Sequence, residues 1–187
     1  MKIRVAATAG FCFGVARAVR RAEECACAGG RVATYGELIH NPDVLHRLEA
    51  LGVRTIHSPQ EADPGDRVIL RAHGVGLAEI RALEARGAQI EDLTCPFVAR
   101  IQKEAARAAG EGRPFLMAGD AEHPEVRGIM SCCRGDGLVF PDADSLERWI
   151  CSDESLKYRR CRVSIAAQTT QKMSEWKKCL KIIEKVY

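Results

Sequence analysis

Aromatic residues are scarce in this sequence. Phe, Tyr and Trp make up 5% of its 187 positions, too few to build the stacking platforms on which single strands of nucleic acid are read. An excess of one charge is missing too. Lys and Arg number 28 against 25 Asp and Glu, mixed along the chain, for a net charge of +3. A nucleic-acid surface needs a concentrated basic face, so no nucleic-acid partner is expected. No apolar run reaches the length of a membrane span, and the N-terminus lacks the charged-then-apolar pattern of a signal peptide. The expectation is a cytoplasmic chain without a membrane partner. There is no CxxC pair among the nine cysteines. The close pairs, Cys25-x-Cys27 and Cys132-Cys133, lack zinc-finger spacing. In a reducing compartment such cysteines read as free thiols or metal ligands rather than disulfides. Finally, no G-x-G-x-x-G or Walker-type loop follows the first strand-like run, which argues against an unrelated nucleotide-binding domain.

Hydrophobic residues account for 47% of the chain, enough for one core or two small ones. Strand and helix patterns alternate throughout, which implies parallel sheets covered by helices, an α/β class. The run Ile3–Ala7 reads as a first strand and Val15–Cys27 as a helix rich in Ala and Arg. Arg31–Tyr35, Arg67–Leu70 and Gln89–Leu93 follow as strands. Pro42–Leu51 is a helix with Val44, Leu45, Leu48 and Leu51 on one face, and Leu77–Arg86 a helix with Leu77, Ile80 and Leu83 inward. A second series repeats the pattern. Helices are expected over Phe97–Ala109, Pro124–Met130 and Ser145–Ile150, and strands over Pro114–Ala118, Gly137–Phe140 and Arg162–Ala167. A last helix carries Trp176, Leu180, Ile183 and Tyr187 on one face. Two similar units are expected, residues 1–95 and 96–187.

The repeat has chemical content. In the first unit a strand leads into His40-Asn41-Pro42-Asp43-Val44 and a helix; in the second, into His123-Pro124-Glu125-Val126 and a helix. Later strands run into Arg71-Ala72-His73-Gly74-Val75 and into Ala167-Gln168-Thr169-Thr170. Polar groups thus fall after the C-terminal ends of strands, the edge where open parallel sheets bind ligands. Proline in a first helical turn leaves the other amides of that turn to face an anion.

Cys12, in Gly10-Phe11-Cys12-Phe13-Gly14-Val15, and Cys95, in Asp92-Leu93-Thr94-Cys95-Pro96, both stand at strand-to-helix turns. The positive end of a helix dipole suits a metal-binding or nucleophilic sulfur. Two such sulfurs are placed to share an iron–sulfur cluster, or they are buried thiols that pack as small hydrophobes. His40, His73 and His123 each follow a strand and precede a helix, where imidazole can hydrogen-bond a phosphate. Glu125 is either a proton donor in a closed cleft or a carboxylate that stabilises its helix N-terminus. Thr169 and Thr170 either bind substrate or phosphate, or cap the last helix. His46, His57 and the remaining cysteines have no such context.

Six ordered motifs carry a resemblance over nearly the whole chain. They are Gly10-Phe11-Cys12-Phe13-Gly14-Val15, Gly36-Glu37-Leu38-Ile39-His40-Asn41-Pro42, Arg71-Ala72-His73-Gly74-Val75, Asp92-Leu93-Thr94-Cys95-Pro96, His123-Pro124-Glu125-Val126 and Ala167-Gln168-Thr169-Thr170. Together they resemble the 4-hydroxy-3-methylbut-2-enyl diphosphate reductase family of the non-mevalonate isoprenoid pathway. The resemblance implies reductive removal of an allylic hydroxyl, yielding isopentenyl and dimethylallyl diphosphate, by a [4Fe-4S] cluster on three cysteines. Cys12 and Cys95 match two of these ligands. His40, His73 and His123 match diphosphate-holding residues, Glu125 the proton-delivering carboxylate, and Thr169 a residue beside the substrate. Ferredoxin or flavodoxin is the implied electron donor. The implied fold is three similar α/β units with pseudo-threefold symmetry. The third unit, which would bring the third cluster cysteine and a Ser-x-Asn motif, is absent from these 187 residues. If they are the whole protein, the resemblance implies a cleft open on one side, with reductase activity absent or very low. The alternative is then a truncated relative that binds diphosphate without redox activity.

Overall fold

A computed structural model describes residues 3–6, 9–135, 137–159 and 161–187. It contains two parallel sheets, one in each of two compact units: Met1–Ala72 with Ala82–Cys95, and His73–Arg81 with Pro96–Tyr187. No helix among the described residues is long and apolar enough to cross a membrane.

In the first unit, α1 (Phe13–Cys27) is followed by β1 (Val32–Tyr35), α2 (Pro42–Ala50), β2 (Arg54–Ile56) and β3 (Arg67–Leu70). After α3 (Leu77–Ala85) the sheet is completed by β4 (Gln89–Asp92). Its strand order is β2-β1-β3-β4. The second unit holds α4 (Pro96–Gly110), β5 (Phe115–Ala118), α5 (Pro124–Met130), β6 (Gly137–Phe140), α6 (Ala143–Ile150), β7 (Ser164–Ala167) and α7 (Met173–Ile183). Its strand order is β6-β5-β7. Mapping β1, β2 and β3 onto β5, β6 and β7 gives the same topology twice, with β4 added to the first sheet.

Parallel strands hidden by helices on both faces carry unbroken apolar runs. Accordingly β5, Phe-Leu-Met-Ala, is buried at all four positions, and Val68, Ile69 and Leu70 of β3 are buried. The helices contribute one face each. Ala18, Val19, Ala22 and Cys25 of α1 are buried at helical spacing and join Val44 and Leu48 of α2 in the first core. Leu146, Trp149 and Ile150 of α6 join Cys179 and Ile183 of α7 in the second. Caps set the helix starts. Asn41 Oδ1 accepts from the Val44 amide at 3.2 Å, and Asp142 with Ser145 forms a capping box on α6.

The N-terminal edges of both sheets are tied by ion pairs. Asp66, fully buried, accepts from Arg31 Nε and Arg54 Nη2 at 2.6 Å each and from the Asp63 amide at 3.0 Å. Burial opposes its charged form. The Asp63 amide, the Arg31 guanidinium and the charge on Arg54 outweigh burial and hold the carboxyl below its ordinary pKa. In the second unit Glu104 Oε1 accepts from the Ser164 hydroxyl at 2.7 Å, and Arg113 reaches the same serine.

Three expectations need correction. Ile3–Ala6 is not a strand: it has no ladder partner among the described residues, and Ile3 and Val5 are 76% and 80% exposed. Apolar alternation needs a neighbouring strand before it becomes structure; Ala7, the end of that expected run, lies outside the described residues. The edge strand β2 is an addition to the expected set, because its three residues are too few for a periodic signal. Leu51 and Leu77 are exposed, since each sits at a helix end beyond the turn that contacts the core.

Candidate functional site

Strand order locates the ligand edge of each sheet. In the first, the chain passes from β1 outward to β2, then returns across β1 to β3. In the second it passes from β5 to β6 and returns to β7. The loops after β1 and β3, and those after β5 and β7, therefore part in opposite directions and leave a crevice between their strands. Register keeps the strand ends level: Tyr35 pairs with Leu70, and Ala118 with both Phe140 and Ala167.

In the first unit the loops after β1 and β3 meet closely. Gly36 has φ 72° and lies where an added Cβ would stand 3.0 Å from Arg71 Nη1, so this turn requires glycine. His40 is exposed, with Nδ1 3.1 Å from Glu37 Oε2. Cys12 is the residue before α1 and is exposed; its carbonyl accepts from the Ala16 amide at 2.9 Å. Cys95 is half-buried and directly precedes Pro96, the first residue of α4. An added Cβ at Gly14 would stand 3.3 Å from Cys95 Sγ, so the first turn of α1 approaches the second sulfur. The Cys95 loop is fastened from three sides. Asp92 Oδ1 accepts from the Thr94 amide at 2.9 Å and its hydroxyl at 2.5 Å. The Cys95 amide donates to Ala72 O at 2.9 Å, and Arg17 Nη2 donates to Thr94 O at 2.9 Å and Leu93 O at 3.3 Å.

In the second unit four expected residues come together. Glu125, 1% exposed, lies in the first turn of α5, and Thr169 follows β7. The Thr169 amide donates to Glu125 Oε1 and its hydroxyl to Oε2, both at 2.7 Å. The carboxylate therefore bridges the crevice between β5 and β7 rather than serving only its own helix. His123 caps α5, its Nδ1 accepting the Glu125 amide at 3.1 Å. A neutral ring bonded this way carries its proton on Nε2. His73 stacks edge-on against His123, with ring centroids 5.6 Å apart and planes at 84°. Gln168 adds a tie, its Oε1 accepting the Asp120 amide at 3.0 Å.

Neither threonine caps the last helix. The residue before α7 is Lys172, which makes no side-chain cap, and Thr170 Oγ1 accepts from Gln168 Nε2 at 3.0 Å. Neither Cys12 nor Cys95 is a buried small hydrophobe; that environment belongs to Cys25, Cys132, Cys133 and Cys179. Two sulfurs beside helix N-termini, in adjoining and well-tethered loops, have the donor chemistry of an iron–sulfur cluster site. Among the described residues no group of three His, Cys, Asp or Glu side chains is arranged to hold a metal ion. Sequence reasoning passed over Arg17, Asp92 and Gln168, which shape these loops. Arg17 had one signal, a cation set among Val15, Ala16, Ala18 and Val19 on a helix whose other arginines lie further along.

The family model described as LytB protein matches residues 3–187. A 4-hydroxy-3-methylbut-2-enyl diphosphate reductase of Nitratidesulfovibrio vulgaris (Miyazaki F) is 42% identical over 172 residues, covering 91% of this chain and 59% of that protein. The protein of the same description from Geobacter sp. M21 is 39% identical over 171 residues, covering 91% and 58%. A solved structure of (E)-4-hydroxy-3-methyl-but-2-enyl diphosphate reductase, described as the terminal enzyme of the non-mevalonate pathway, matches with a TM-score of 0.80 at 35% identity. It covers 98% of this chain and 64% of that one. The Plasmodium falciparum enzyme matches in fold, with a TM-score of 0.85 at 21% identity. The chain thus spans less than two thirds of the length of these two curated relatives, 59% and 58%.

Proposed function

The chain belongs to the LytB protein family, and from that premise we propose that it carries the machinery of a 4-hydroxy-3-methylbut-2-enyl diphosphate reductase that these residues encode. The observation that carries the reading is the Glu125–Thr169 pair: a buried carboxylate at a topological switch point, with both oxygens engaged from the opposite loop.

The reaction replaces an allylic C–O bond by C–H. It consumes two electrons and two protons and releases water, giving isopentenyl and dimethylallyl diphosphate. Cys12 and Cys95 are the residues that would hold a [4Fe-4S] cluster. When bound, that cluster supplies the electrons, received from ferredoxin or flavodoxin, and a Lewis-acidic iron for the departing hydroxyl. The chain's own groups handle charge and protons. His40, His73 and His123 receive the diphosphate; for His123 the Nε2–H is the donor left by its cap. Glu125 holds the proton for the leaving oxygen, and the Thr169 hydroxyl fixes the carboxyl and stands beside the substrate.

Anaerobic loading of the 187-residue chain with iron and sulfide tests the metal half of the reading. Visible charge-transfer absorption is expected in the wild type and loss of nearly all of it in Cys12→Ser and in Cys95→Ser. Equal iron content in all three would overturn the ligand assignment. Calorimetry with inorganic pyrophosphate tests the other half: weaker binding is expected in His73→Ala and His123→Ala, and unchanged affinity would remove both residues from the site. Pyrophosphate binding without iron loading would leave a diphosphate-binding chain with no redox role.

A further inference from the structure

Arg17 does something its neighbours on α1 do not. Arg20 and Arg21 pair with carboxylates: Arg20 with Glu24, and Arg21 with Glu24 and Glu91. Arg17 instead spends one nitrogen on two backbone carbonyls, Leu93 O and Thr94 O, the last two before Cys95. It stands five residues after Cys12, on the helix whose first turn brings Gly14 against Cys95 Sγ. Its Nε is buried and has no hydrogen-bond partner among the described residues. A buried donor left unpaired is costly. Arg17 carries that cost while its Nη2 is held on the carbonyls just before Cys95.

We infer that Arg17 is a positioning residue that sets the Cys95 loop against the first turn of α1 and thereby presents Cys12 and Cys95 together. The inference rests on the reading of those cysteines as cluster ligands only for its purpose; the clamp itself is independent of it. Carbonyls of Leu93 and Thr94 would otherwise need water or another donor. The Asp92 turn fixes only the amide and hydroxyl of Thr94, and the Cys95 amide is bonded to Ala72. Arg17 links the cysteine-bearing helix directly to the backbone just before Cys95.

Two measurements test it on the full 187-residue chain, comparing wild type with Arg17→Met, Arg17→Lys and, as a structural control, Arg21→Met. Amide hydrogen exchange, read by mass spectrometry on metal-free chain, reports the loop. Exchange at Thr94 and Cys95 is expected to speed up about tenfold in Arg17→Met. It should speed up less in Arg17→Lys, which can keep one carbonyl, and not at all in Arg21→Met. Exchange in β1 and β3 should stay at wild-type rates, which also shows that the variant folds. Unchanged exchange at Thr94 and Cys95 in Arg17→Met overturns the inference. The second readout is visible absorption after anaerobic loading with iron and sulfide. Arg17→Met should load less cluster than wild type, Arg17→Lys should restore part of it, and Arg21→Met should match wild type. A loosened loop with full cluster loading would refute the positioning role. If Cys12→Ser and Cys95→Ser also load fully, the cluster reading has failed instead, and the exchange data alone then decide whether the clamp exists.

Discussion

The two units place a histidine, a proline and a helix after the same strand of the same topology, yet use the histidine differently. After β1 the order is His40-Asn41-Pro42, and Asn41 caps the helix while His40 lies exposed beside Glu37. After β5 the order is His123-Pro124, and the histidine itself is the cap. One residue more or less between imidazole and proline decides the matter, because the cap must stand immediately before the first helical turn. The second arrangement fixes the ring and its tautomer; the first leaves a neighbouring carboxylate to orient it. The opposite edges differ in the same spirit. Asp66 is fully buried between two arginines, whereas Glu104 is half-exposed beside a serine and two arginines.

The largest expected effect lies at those opposite edges. Asp66→Asn should cost about 2–4 kcal/mol in urea unfolding, because two arginines and an amide lose a buried carboxylate. Glu104→Gln should cost about 1 kcal/mol or less. Equal losses would erase the contrast. The acid response follows from the same group. The Asp66 pKa is lowered in the folded chain from an ordinary 3.8, so its contribution is fully present above about pH 4 and is lost as pH falls through the lower folded value. Wild type should therefore lose stability on acidification below about pH 4 more steeply than Asp66→Asn, which unfolding followed by circular dichroism would show.

Next in size is the bridge of the second unit. Glu125→Gln should cost about 1–3 kcal/mol, since an amide NH2 would face the Thr169 donors, and Thr169→Val about 1 kcal/mol. A double-mutant cycle should give a coupling well above zero; additive losses would mean that the two hydrogen bonds contribute nothing jointly.

The cap swap addresses the comparison directly and has the smaller effect. His123→Ala should destabilise by about 1 kcal/mol and His123→Asn should recover most of that; Asn41→Ala in the first unit should cost a similar amount. His40→Ala should change stability by less than about 0.5 kcal/mol, an exposed pair being weak. If His40→Ala were as costly as His123→Ala, the division of labour between the two histidines would be wrong.

Much of this was legible in the chain. Proline at Pro42, Pro96 and Pro124 marked three helix starts, and the apolar runs Val-Ile-Leu and Phe-Leu-Met-Ala marked central strands, because both signals are local. Ile3–Ala6 and β2 went the other way. An exposed run of alternating apolar residues looked like a strand and a three-residue edge strand did not, since pairing depends on a neighbour that no local pattern names.

The sequence by itself determined the α/β class, the repeated strand–loop–helix unit, and the loops in which Cys12, Cys95, His40, His73, His123, Glu125 and Thr169 sit. Periodicity and turn chemistry operate over a few residues and can be read in order. Only the tertiary structure decided that Glu125 answers to Thr169, 44 residues away, that His73 meets His123, and that Arg17 reaches the carbonyls before Cys95. Glu125 and Thr169 meet because β5 and β7 lie side by side in parallel with level ends, and the crossover connections between strands conceal from the linear sequence which residues will meet.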